Sequence, residues 1–292
     1  MVGLYFMMIS SCLLTAVNAC VYAVHRWEPE SSLLVSSFIR IAVNLVVIFV
    51  YACVKQQWKI LLGDRSIVLW LRGVFGAATI VLGFASLQTI QMGRASFLLA
   101  TSSSFVALLG PIILGQRNSR WVWFALLGSL VGASLIFDKS ASSEAFWGQF
   151  MALTAALSMA LAYLMIAKSG KASTAASVVW HFCLVGIVVH AIIFAIIPQK
   201  WPQDPRSYAL LLSAGVIASG SQYFVTAAYQ RSKASLVAAA GGIGPVLNLL
   251  VSVVLFDERI DLKGILGALV ILICSGGLPF LLATKTQAQR VR

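Results

Sequence analysis

The chain is 292 residues long, 60% hydrophobic and only 10% charged, with a mean hydropathy of +0.93. A soluble domain carries roughly 25% charged residues to solvate its surface, so a water-facing globule is excluded and the surplus apolar surface must face lipid. The net charge of +12 reads as basic cytoplasmic loops rather than a nucleic-acid face, because no basic and aromatic cluster lies outside the apolar stretches.

A bilayer core needs about 20 apolar residues per helix. In chain order the qualifying stretches are 3–24, 32–54, 67–87, 95–115, 120–137, 146–167, 176–197, 207–228, 235–256 and 262–283. The first has no basic residues ahead of it and reads as a retained helix rather than a cleaved signal. The second carries Arg40 and Asn44, the third Arg72 and Phe84. The fourth is rich in hydroxyls, with Ser96 and the run Thr101-Ser102-Ser103-Ser104, and the fifth holds the GxxxG pair Gly128 and Gly132. Trp180, His181 and His190 lie in the seventh, and Gln222, Tyr223 and Tyr229 in or at the end of the eighth. The ninth opens with small residues, Ala238 to Gly244, before Pro245. Connectors such as Arg26–Ser31, Lys55–Arg65 and Pro198–Arg206 are too short for a soluble domain.

The expected fold class is therefore an all-α integral membrane protein of ten transmembrane helices. Landmarks recur between its halves. Leu87–Gln88 and Tyr229–Gln230 each close a third helix, and the step from Gln88 to Gln230 equals the step from Gln116 to Glu258. This predicts two five-helix repeats, 1–140 and 141–292. Five is odd, so the second repeat enters the membrane inverted, and an inverted pair places a substrate site near the midplane between its halves. With both termini in the cytoplasm, twelve Lys and Arg fall in inner segments and seven in outer ones, which favours that orientation in an inner (plasma) membrane.

The second half contains Gly244-Pro245-Val246 and then Leu255-Phe256-Asp257-Glu258-Arg259. This pattern resembles the EamA family of drug/metabolite transporters, whose repeat ends in a small-residue helix, a Leu-Gly-Glu-Arg-like turn and a Gly-rich last helix. The first half departs from it: Ser103 stands where the family usually has proline, Gln116 replaces the glutamate, and Pro111 falls eight residues later. Phe38-Ile39-Arg40 and Leu71-Arg72-Gly73 followed by Gly76 are similar to a branch that includes carriers for riboflavin, S-adenosylmethionine and organic anions. The resemblance implies a secondary transporter working by alternating access, with a small-molecule metabolite and membrane lipid as its partners.

A charge inside the bilayer costs about 2.5–3.5 kcal/mol on insertion scales, which makes each one a functional candidate. Arg40 is expected to meet the substrate's negative group, paired across the repeat with His181. Arg72 is expected near the cytoplasmic side, contacting either substrate or lipid phosphate. Gln88, Gln222, Tyr223, Asn44 and Ser103 are candidate cavity-lining groups, and Phe84, Trp180 and Tyr229 candidate stacking groups. His190 is a candidate for proton coupling. The small-residue segments read either as close packing or as a partly unwound stretch lining the cavity, and the GxxxG pair as a seam within a monomer or a homodimer.

All nine acids lie in loops or at helix ends. A proton-driven exporter of cationic drugs needs a buried carboxylate, so the expected cargo is anionic or zwitterionic. The five cysteines show no metal spacing and read as packing residues; no metal or cofactor is expected. No P-loop, HExxH or GxSxG motif appears, so ATP-driven transport and intramembrane hydrolysis are not expected. An amino-acid exporter and, from another class, a non-transporting receptor or assembly factor are the remaining alternatives.

Overall fold

The computed structural model describes residues 2–56, 58–63, 66–115, 121–136, 142–170, 172–257 and 262–277. Its helices are α1 (Val2–Trp27), α2 (Leu33–Val54), the short α3 (Lys59–Leu62), α4 (Ile67–Ser86), α5 (Met92–Ala100), α6 (Ser102–Leu114) and α7 (Trp121–Ile136). They continue with α8 (Ser143–Ser169), α9 (Ala175–Ile196), α10 (Pro205–Arg231), α11 (Ala234–Ala240), α12 (Ile243–Phe256) and α13 (Leu262–Ile271), which runs into a π-helical turn, Leu272–Gly277. No strand occurs among the described residues. Lipid offers no partner to a free backbone amide, and helices satisfy their own.

Eight helical segments are long and apolar enough to cross a membrane, counting α5–α6 and α11–α12 as one each. Helix α7 has 16 residues and α13 ten. The landmarks Gln116 and Glu258 and the end of the tenth expected span lie outside the described residues.

Local chemistry sets the helix ends. Ser32 and Thr174 accept hydrogen bonds from Leu34 N and Ser177 N and so cap α2 and α9. The step along the chain from Leu33 to Ala175, where these two helices start, equals the step from Val54 to Ile196, where they end. It is the same step that joins Gln88 to Gln230. Gly115 (φ 65°) and Asp257 (φ 52°), again one such step apart, terminate α6 and α12 in the left-handed conformation that glycine adopts freely and aspartate tolerates. That register sets Arg40 opposite Phe182, correcting the expected pairing with His181 by one residue.

The two interrupted helices break at matching places for different reasons. In α12, Pro245 is the third residue; its missing amide costs nothing in the first turn, whereas deeper in a helix it would remove a backbone hydrogen bond and crowd the preceding turn. The break therefore falls just ahead of it, at Gly241-Gly242. The equivalent position in the first half is Ser103. There the break at Thr101 forms without proline. Thr101 Oγ1 donates to Leu98 O at 2.7 Å and Ser103 Oγ to Ala100 O at 2.9 Å, and such back-bonds bend helices. Helix α6 then continues through Pro111. Both interruptions are single tightened turns with hydrogen bonds on either side, not unwound stretches.

Packing follows a swapped pattern. Helix α1 lies along α10 as α8 lies along α4, and α2 meets α10 as α9 meets α4; α2 also packs on α9, and α7 on α13. Reciprocal serine bonds join α1 to α10, Ser10 Oγ to Ser221 O at 2.9 Å and Ser221 Oγ to Ser10 O at 3.0 Å. Small residues allow this approach; α8 likewise buries Ala152, Ala155, Ala156 and Ala160. A Cβ on Gly132 would strike the Gly267 carbonyl and Ile271, and one on Gly128 would strike Cys274, so the GxxxG pair is used within the chain. Val54, Ile112, Ile196 and Val254 point outward, while Ser, Asn, Gln, Arg and His side chains are buried. The bundle is apolar outside and polar within.

Candidate transport site

A cavity of about 120 Å³ opens beside the two helix breaks, bounded by α1, α5, α6, α8, α10, α11 and α12. Its polar lining is Ser11, Asn18, Ser96, Ser102, Ser103, Tyr163, Tyr229 and Asn248, and its floor includes Gly241, Gly242, Gly244 and Pro245. Among the described residues no Lys, Arg, His, Asp or Glu lines it. Pockets that enclose drug-sized ligands measure roughly 300–1,000 Å³, so this conformation holds the cavity contracted.

Tyr163 and Tyr229 stack at 4.5 Å between ring centres with planes 21° apart. The Tyr229 hydroxyl is buried without a hydrogen-bond partner, a condition that costs stability unless a ligand or water meets it. Asn18 Nδ2 and Asn248 Oδ1 face each other from α1 and α12 at 3.5 Å, the far limit of hydrogen bonding.

Behind Tyr163 the chemistry changes. Arg40 and Arg72 are 6% and 3% exposed. The Arg72 guanidinium lies 4.2 Å from the Phe182 ring centre, its Nη2 donates to Gln222 Oε1 at 2.9 Å, and its Nε has no partner. It is close enough to Tyr163 to interact electrostatically. Arg40 sits 5.0 Å over the Phe84 ring. Cys183 lies within electrostatic range of both guanidinium groups. Among the described residues no carboxylate pairs with either arginine; the ion pair found there is Lys200–Glu30, at 2.6 Å near one end of the bundle.

Of the residues expected at the site, Ser103 and Tyr229 line the cavity. Arg40, Asn44, Phe84, Arg72, His181 and Gln222 lie elsewhere in the interior, outside the cavity lining. Gln88 and Tyr223 are exposed, and Trp180 stacks on Phe49 at 6.2 Å beside exposed Trp58. Tyr223 leaves the cavity because α10 turns it outward, Gln88 because it falls in the turn beyond the end of α4, and Trp180 because it packs on another part of the core. His181 Nδ1 contacts its own helix at Ser177 O (2.9 Å). His190 Nδ1 contacts Gly186 O within its own helix at 2.8 Å, and its Nε2 meets Ser37 Oγ at 2.6 Å, so both ring nitrogens are engaged and Nε2 joins α9 to α2. Arg72 is buried beside Gln222 and is not exposed toward lipid headgroups. Sequence reasoning missed Tyr163, Asn18, Asn248 and Ser11. A census of intramembrane amides would have found the two asparagines; nothing in the sequence distinguishes Tyr163 from other aromatics.

A second polar cluster ties the loop between α1 and α2 to the loop between α9 and α10. Glu28 accepts from Gln203 N at 2.6 Å, Asp204 N at 3.3 Å and the Ser207 hydroxyl. Ser32 donates to Gln199 Oε1 at 2.6 Å, and Lys200 binds Glu30. The Gln203 amide and the Ser207 hydroxyl hold the Glu28 carboxyl below the usual carboxylate range.

An all-helical bundle with an apolar exterior, a polar interior cavity and mirrored helix breaks defines a multi-pass membrane protein of the transporter class. The comparisons with known proteins agree. The chain belongs to the EamA-like transporter family, whose model matches it twice, over residues 2–138 and 146–276. It is 27% identical over 276 residues to the pseudopaline exporter CntI of Pseudomonas aeruginosa, covering 93% of each chain. It is 25% identical over 289 residues to solute carrier family 35 member G1 of Mus musculus, covering 94% of this chain and 77% of that one. A crystal structure at 15% identity superposes with a TM-score of 0.71 over 97% of both chains, a likeness of fold. The relatives named are transporters and not enzymes.

Proposed function

We propose that this chain is a ten-pass inner-membrane carrier of a small anionic or zwitterionic metabolite, built from inverted five-helix repeats, 1–140 and 141–292, with both termini in the cytoplasm. The double family match on either side of residue 140 supports the repeat, as do the constant offset of helix ends and the swapped packing of α1 on α10 and α8 on α4. Rocking one repeat against the other exposes the cavity to each side in turn. Transport proceeds by exchange or facilitated diffusion.

The observation that carries the substrate class is a neutral cavity backed by buried Arg72, which has no carboxylate partner among the described residues. An uncompensated interior cation lowers the energy of an anion brought near it, and low dielectric strengthens the effect. In this reading Arg72, behind Tyr163, supplies the attraction, and the Tyr163–Tyr229 pair and the serine hydroxyls hold the neutral part of the solute. Organic-acid cargoes fit this description by their net charge, S-adenosylmethionine-like ones through their carboxylate, and riboflavin-like ones, which are uncharged, through the tyrosine pair and hydroxyls alone. The pseudopaline exporter among the relatives favours export, and amino-acid export is the second reading.

A thermal-shift screen of the purified protein against metabolites identifies ligands by the stability they add, followed by counterflow in proteoliposomes. Anionic and zwitterionic solutes should be carried and simple cations should not. Selective uptake of cations would overturn the assignment.

A further inference from the structure

Arg40 is not accounted for by transport through the cavity. Its guanidinium is 6% exposed, lies outside the cavity lining, and makes no hydrogen bond or ion pair among the described residues. Its one close neighbour with a defined geometry is the Phe84 ring, 5.0 Å away. A ring beneath the guanidinium engages its face and leaves the in-plane N–H donors free. Arg72, by contrast, already gives an N–H to Gln222.

One turn along α2, on the same face, stands Asn44. It is 2% exposed, and its Oδ1 has no partner. Carboxamide oxygen and nitrogen are interchangeable assignments, so the same side chain can turn N–H donors toward an anion. The titratable groups facing this region are Cys183, within electrostatic range of Arg40, and His190, which is held by Ser37 and Gly186 and also feels Arg40. None of them is a carboxylate. Nearby packing is tight: a Cβ on Gly186 would press on Ile41. An organic carboxylate would bring a body that has no room here, whereas a monatomic anion accepts several N–H donors from any direction.

We propose that Arg40 and Asn44 form a resident chloride site in α2, separate from the transport cavity. The ion neutralises the interior charge and is not the cargo. This does not rest on the transport reading, because binding is measured without a transported solute.

The test uses the purified full-length chain in nanodiscs. Gluconate is replaced stepwise by chloride at constant ionic strength while the melting temperature is followed. The expected result is a saturable rise with chloride, reproduced by bromide and not by acetate. Arg40→Lys keeps a positive charge but loses the fork, and should raise the half-saturation concentration by about tenfold. Asn44→Ala should raise it several-fold, and serves if the Arg40 variant does not fold. A melting temperature indifferent to chloride overturns the site, as does an unchanged midpoint in both variants. Acetate acting as well as chloride also overturns it and makes Arg40 a seat for organic carboxylates.

Discussion

The cavity and the arginine region behind it are both buried and polar, yet they divide two properties between them. The cavity has space and no charge: a Cβ on Gly244 would make only ordinary contact, with its nearest neighbour at 3.7 Å on Ser11. The surroundings of Arg72 have charge and no room for a metabolite: a Cβ on Gly76 would meet the Arg72 guanidinium and the Phe182 ring. In the proposed reading, separating them lets the interior attract an anion without letting it bind so tightly to a bare cation that release becomes slow. A carrier must do both.

The sharpest way to break this division is to remove its charge. Arg72→Ala strips the cation behind Tyr163 and leaves Gln222 Oε1 without its partner; a hydrogen bond to a charged group typically contributes about 1.5–3 kcal/mol. Counterflow of the anionic solute found by the screen should fall by about 100-fold or more, while uptake at the wild-type level would remove Arg72 from the mechanism. Next in size comes a test of space. Gly76→Ala overpacks the arginine region, at a cost of about 1–3 kcal/mol partly offset by about 1 kcal/mol of helix propensity. Its melting temperature should drop, whereas Gly244→Ala, set in the cavity wall, should stay within about 0.5 kcal/mol of wild type. Equal effects would erase the contrast.

Tyr229→Phe removes a single unpartnered hydroxyl and keeps the stack on Tyr163. Folding should be unharmed, since no bond is lost within the protein, and half-saturation for the solute should rise by about tenfold if that hydroxyl meets the cargo. The smallest effect should come from outside both regions, at the loop contact. Glu28 is held below its usual range in the folded state, so its contribution is complete above the normal carboxylate range and is lost as pH falls through the lowered value. Wild-type thermal stability should accordingly decline on acidification below that range, and Glu28→Gln should flatten that part of the profile. A wild-type profile already flat there would show that the contact adds nothing.

Much of this was legible beforehand. Membrane insertion followed from composition, because so few charges cannot solvate the surface. The matching positions of Gln88 and Gln230 foretold the constant spacing later seen at the ends of α2 and α9. The departure of Ser103 from proline was visible, but its consequence was not: the bend survives because two hydroxyls return to backbone carbonyls. The candidate site was legible only in part. Sequence marks a residue as charged or aromatic inside a span, and that singled out Arg40, Arg72 and Tyr229. It records neither helix rotation nor the residue at which a helix ends, so Tyr223, which α10 turns out, Gln88, which falls in a turn beyond α4, and Trp180, which packs elsewhere on the core, were all drawn to the cavity.

By itself, then, the sequence determined the solvent this protein lives in, the helical segments and, among the described residues, the lack of acids in the interior, since hydropathy and charge are summed over local stretches of chain. Only the tertiary structure decided that the arginines lie behind the cavity rather than in it, and that Tyr163, Asn18 and Asn248 belong to its wall. Which face of a helix points inward depends on how distant helices pack, and no local stretch of residues encodes the position of its neighbour.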